Sequence, residues 1–66
     1  MKLTINGEAR DVAEGATVLS LLEDLGFRPE VTVVELNADI LERSNFGDTA
    51  LSDGDTLEIV RFVGGG

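Results

Sequence analysis

Lys2-Leu3-Thr4-Ile5-Asn6-Gly7-Glu8-Ala9-Arg10-Asp11-Val12 leads, through a short bridge, into Thr17-Val18-Leu19-Ser20-Leu21-Leu22-Glu23-Asp24-Leu25-Gly26-Phe27-Arg28-Pro29. Lys2 to Ile5 alternates, with Leu3 and Ile5 on one face, and then meets Asn6-Gly7. That dipeptide between alternating segments is the strongest short-range hairpin signal. Glu8 to Val12 is read as the return strand. Thr17 has the chemistry of a helix N-cap. Val18, Leu21, Leu22 and Leu25 then recur at i, i+3, i+4 and i+7, which puts four side chains on one helical stripe. Gly26 supplies the left-handed stop, Phe27 can fold back onto the stripe, and Pro29 bars continuation. An apolar stripe must be covered, and alternating strands on both sides of the helix offer the cover.

The rest of the chain extends this pattern. Val31 to Leu36 is a β-branched run that reads as a central strand. Asn37-Ala38-Asp39 reads as a turn, Ile40-Leu41-Glu42 as a short strand or single turn, and Arg43 to Ala50 as an irregular loop anchored by Leu51. Ser52-Asp53-Gly54-Asp55 is another turn. Thr56 to Val63 alternates again and carries the chain into Gly64-Gly65-Gly66. The order predicts an α+β roll, one mixed β-sheet packed on a single main α-helix, with the last strand central beside the first. Residues 1–63 are expected to form one domain and residues 64–66 a flexible glycine tail, mobile until a partner orders it.

Sixty-six residues lie near the lower limit for a self-supporting core. Cysteine and histidine are absent, which excludes disulfides and Cys/His metal sites. Thirteen acidic against five basic residues give a formal charge of −8. Nucleic acid and anionic membranes are poor partners for such a surface, and a basic protein groove is a better one. No apolar run approaches a membrane span and the N-terminus lacks a signal-peptide pattern, so a cytoplasmic protein is expected. Catalysis by this chain is not expected either. Tyrosine is missing too, the single lysine is Lys2, and so small a domain has little room for a deep pocket. Two carboxylates could do acid–base work, but exposed carboxylates more often form a solvated face.

The glycine ending carries the chemistry. Without β-carbons, Gly64, Gly65 and Gly66 can lie flat in a channel too narrow for side chains. From Val63 to Gly66 an extended tail reaches roughly 13 Å. Tails rich in glycine also occur without function, so the residues before the tail must decide. On the last strand, Leu57 and Ile59 share one face, while Glu58, Val60 and Phe62 share the other. If the first pair points inward, a valine and an aromatic ring stand exposed beside the tail. Val60, Phe62 and Val63 are then candidates for partner docking. In the other reading, Phe62 tucks under a loop edge and completes a small core.

Val33-Val34-Glu35-Leu36-Asn37, Ile40, Arg43-Ser44, Leu51, Gly54-Asp55, Glu58-Ile59-Val60 and Val63-Gly64-Gly65-Gly66 resemble the sulfur carriers of thiamin biosynthesis, the ThiS family. The resemblance spans nearly the whole chain and is most specific in the C-terminal third. Glu42 stands where that family commonly has a proline before the arginine, a loop difference that touches neither tail nor last strand. The resemblance implies the β-grasp, or ubiquitin-like, fold. It further implies that an E1-like adenylating enzyme, using ATP and Mg²⁺, activates the Gly66 carboxylate. A sulfur donor such as a persulfide would convert it to a thiocarboxylate, and a thiazole synthase would consume the sulfur. Gly64 and Gly65 would thread both active sites, and the free carrier would be a monomer that binds no cofactor itself.

Three rivals share parts of this pattern. The small subunit of molybdopterin synthase has similar chemistry, but that family tends to be longer and to approach its glycines through proline, where this chain has Phe62-Val63-Gly64. A ubiquitin-like protein modifier would end in an isopeptide bond, and a plain interaction module would leave the tail idle. A β-grasp ferredoxin is excluded by the missing cysteines.

Overall fold

A computed structural model of the chain describes residues 1–62. Strands β1 (Lys2–Ile5) and β2 (Glu8–Asp11) pair antiparallel about the Asn6-Gly7 turn, whose φ angles of 50° and 83° are both positive. Such turns twist with the flanking strands, which is why Asn-Gly is favoured there. Helix α1 (Val18–Leu25) follows, then β3 (Thr32–Leu36), β4 (Asp39–Leu41) and β5 (Thr56–Arg61). The strands form one sheet in the order β2-β1-β5-β3-β4. The last strand is central, as expected, parallel to β1 and antiparallel to β3. No described helix is long and apolar enough to cross a membrane.

Every amide in the first turn of α1 has a partner, and half of the partners come from far along the chain. Thr17 caps the helix: its hydroxyl accepts from the Ser20 amide at 3.1 Å, and the Ser20 hydroxyl accepts from the Thr17 amide at 2.9 Å. This is a reciprocal capping box with serine in the position usually given to glutamate or glutamine. The Val18 and Leu19 amides donate to the carbonyls of Thr49 and Phe46, each at 3.0 Å. At the other end Gly26 has a φ of 83°, and the Phe27 amide reaches back to the Leu22 carbonyl at 2.9 Å. The helix therefore stops where the sequence says it should.

Val18, Leu21 and Leu22 are buried against Leu3, Ile5, Val34, Leu57 and Ile59 of the sheet, while Leu25 and Phe27 are half-buried at the margin. Several expectations need correction: β2 stops at Asp11, short of Val12, and β4 takes in Asp39 and stops at Leu41, short of Glu42. Val31 belongs to a 3₁₀ turn, Pro29–Val31, and β3 starts one residue later at Thr32. The segment after Glu42 is not merely a loop. Arg43–Asn45 forms a 3₁₀ turn that drives Phe46 into the core, where it is 2% exposed. Phe46 was missed because a lone aromatic in a run of Ser, Asn, Gly and Asp has no period to betray it.

The β3–β4 hairpin turns on Asn37 and Ala38, with φ of 51° and 74°. Alanine in the left-handed region is strained by about 1–2 kcal/mol. Ala38→Gly should therefore raise stability by about 0.5–1 kcal/mol after the added unfolded-state entropy is subtracted. A higher urea midpoint at unchanged slope would show it, and an unchanged or lower midpoint would contradict it.

Candidate functional site

The candidate site is the end of β5, from which the glycine tail departs. Alternation buries Leu57 and Ile59 in the core and turns Glu58, Val60 and Phe62 outward. Val60 is 60% exposed and Phe62 is 58% exposed. Phe62 thus stands clear of the core, and the reading in which it tucks under a loop does not hold. Its amide still donates to the Val31 carbonyl at 2.7 Å, so the ladder with β3 continues one residue beyond the strand.

Register shows what surrounds these two side chains. Val33 lies opposite Val60, and Glu35 lies between Glu58 on one side and Ile40 on the other. Cross-strand partners share a face. Val33, Ile40, Val60 and Phe62 therefore form an apolar strip on the open face, interleaved with Glu35 and Glu58. Ile40 is the most exposed large apolar residue among the described ones, at 71%. Sequence reasoning did not place Ile40 in this strip. The two-residue turn at Asn37-Ala38 held the signal, because it sets the β3–β4 register and with it the face of Ile40.

The opposite face of β5 ends differently. Arg61 lies across from Thr32, and its guanidinium stacks over the Phe27 ring at 5.1 Å from the centroid. Such a contact contributes on the order of 0.5–1 kcal/mol at an exposed site and ties the strand end to the helix C-terminus. On the β1 side, the parallel pairing ends at Ile5 and Leu57. The Asn6 side chain takes over from there: it accepts from the Ile59 amide at 2.7 Å and donates to the Ile59 carbonyl at 3.2 Å. Of the predicted site residues, the structure brings Val60 and Phe62 together on one surface. Val63, Gly64, Gly65 and Gly66, with the expected mobility of the tail, lie outside the described residues.

This arrangement offers an apolar, acid-edged surface on the last strand before the glycine ending. A surface of this kind can dock a partner. A model of the ThiS family matches residues 3–66. A "Sulfur carrier protein ThiS" of Bacillus subtilis is 32% identical over 65 residues, covering 97% of this chain and 98% of that protein. A thiazole synthase of Paramagnetospirillum magneticum is 47% identical over all 66 residues, but the chain spans only 20% of that protein's length. The crystal structure of a thiamine biosynthesis protein (ThiS) from Geobacter metallireducens superimposes with a TM-score of 0.86 at 43% identity, each chain being covered completely.

Proposed function

The chain belongs to the ThiS family, and on that footing we propose that it is a sulfur carrier for the thiazole moiety of thiamin, with the Gly66 carboxylate as the group that is loaded. The observation that carries the proposal is the family match over residues 3–66, which includes the glycine ending. The match favours the thiamin role over the molybdopterin one and over protein modification.

The chemistry follows from what a carboxylate lacks. It is ionised at neutral pH, since an α-carboxyl titrates at about 3.3–3.7, and an anion resists nucleophilic attack. A partner adenylating enzyme, with ATP and Mg²⁺, converts it to an acyl-adenylate and releases pyrophosphate. A persulfide sulfur then attacks the carbonyl carbon and AMP leaves. Cleavage of the sulfur–sulfur bond by a thiol frees the thiocarboxylate. Its soft anionic sulfur is the nucleophile offered to a thiazole synthase. That a carrier-like segment makes up about a fifth of some thiazole synthases supports such a partnership. The chain itself supplies no catalytic group in this scheme, acts as a monomer when free, and works in the cytoplasm. Gly64 and Gly65 carry the carboxylate through channels where a β-carbon would collide.

Val60 and Phe62, with Val63 beside them, are proposed to dock the adenylating enzyme, and the strip through Val33 and Ile40 enlarges that surface. The −8 charge favours a partner with a basic groove and speeds the encounter at low salt. ATP–pyrophosphate exchange that depends on this chain tests the adenylation step; no exchange would remove the proposal. Phe62→Ala tests docking separately. An exposed anchor should cost binding at least about 1–2 kcal/mol, read as a rise in KM for the carrier, with the thermal midpoint preserved. A variant that unfolds readily but keeps its KM would show the ring to be structural.

A further inference from the structure

Asn6 does more than its turn requires. A turn with φ of 50° at this position accepts glycine as readily as asparagine. The side chain is what glycine could not supply. The Asn6 backbone amide donates to the Leu57 carbonyl at 2.9 Å, which completes the parallel ladder. Its carboxamide then bonds both the amide and the carbonyl of Ile59, at 2.7 and 3.2 Å, across 53 residues of sequence. One side chain thus stands in for a strand residue that β1 does not have. Past Ile59, the described backbone pairing of β5 is with β3, and Arg61 stacks over Phe27 on the core face.

Asn37 does the corresponding work where β5 begins. It has a φ of 51°, its side chain accepts from the Thr56 amide at 2.9 Å, and it donates to Asp55 at 3.0 Å. The two hairpin turns therefore hold β5 by two asparagines, Asn37 at its entry and Asn6 on its β1 side at Ile59, two residues before the strand ends.

We infer that Asn6 is a positioning residue for the carrier reaction: it locks Ile59 and so fixes the direction in which β5 delivers the terminal carboxylate. The inference rests on the carrier reading above. Phe62 is the last residue that the β3 ladder holds, and four residues separate it from Gly66, a reach of at most about 13–14 Å. Once a partner's channel draws the tail out, a swing of roughly fifteen degrees at that base moves the end by about 3.5 Å, as much as the approach of 3–3.5 Å that productive attack tolerates. Docking through Val60 and Phe62 is a separate matter, so loss of the clamp should act on turnover rather than on affinity.

The matched pair Asn6→Gly and Asn37→Gly tests this. Both substitutions suit the left-handed backbone and both remove one asparagine clamp from β5. Asn6→Gly should speed hydrogen exchange at the Ile59 amide about tenfold. The Glu58 amide, which by strand alternation faces β3, should keep its protection. In ATP–pyrophosphate exchange, Asn6→Gly should lose kcat by about tenfold to a hundredfold with KM little changed. Asn37→Gly should expose the Thr56 amide yet retain the parent kcat. Equal losses in the two variants would make the clamp a matter of general strand stability, and an Asn6→Gly chain with the parent kcat would show that the tail swivels freely; either result would overturn the inference. A parent chain that supports no exchange sinks the carrier reading and this role together. A parent that exchanges beside an unimpaired Asn6→Gly sinks this role alone.

Discussion

A chain lacking Gly66, or carrying Gly65→Val, is expected to accept no sulfur while folding as stably as the parent. Deletion draws the only reactive group back by about 3.3 Å, whereas attack needs the reacting atoms within roughly 3–3.5 Å. Valine at position 65 places a branched β-carbon in the proposed channel and narrows the allowed backbone angles. Neither change touches the described core, whose last member in sequence is Ile59. The thermal midpoint should therefore stay put while thiocarboxylate yield, read by mass spectrometry against the parent, falls to background. Full yield from both variants would reduce the glycines to an ornament of the sequence.

Leu22→Ala should have the largest effect on folding. Leu22 is fully buried at the middle of α1 and packs within the cluster formed by Leu3, Ile5, Val34, Leu57 and Ile59. Truncation of such a side chain costs about 2–5 kcal/mol, combining lost transfer energy with the cavity left behind. A domain of 66 residues has roughly 3–10 kcal/mol in all, so the variant should be largely or wholly unfolded at warm temperatures. Urea unfolding measures the difference directly. A loss below about half a kilocalorie, under the usual range for buried leucine, would mean that the helical stripe does not form the core.

What the sequence made legible was whatever local physics dictates alone. The helix was readable because its stripe, its cap at Thr17 and its stop at Gly26 all agree. The alternation of β5 was readable for the same reason, and it already separated Leu57 and Ile59 from Val60 and Phe62. The misses are all non-local. Phe46 enters the core because the Arg43–Asn45 turn aims it there, and the carbonyls of residues 46 and 49 cap a helix nearly thirty residues earlier. Ile40 joins the exposed strip only once β3 and β4 are in register. Asn6 announces a hairpin in the sequence, yet its bond to Ile59 exists only because the chain returns to place β5 beside β1. Pairings of this kind are properties of topology, and no window of neighbouring residues contains them.

The central claim is that the Gly66 carboxylate is a sulfur-loading site, and the intact mass of the chain tests it most directly. Incubation with an adenylating enzyme, ATP, Mg²⁺ and a persulfide donor should shift the mass by the exchange of one oxygen for one sulfur. Fragmentation should confine the shift to the C-terminal glycine, and omission of ATP should abolish it. An unchanged mass under conditions that load an authentic family member, or linkage of the terminus to a lysine of another protein in place of sulfur, would contradict the account.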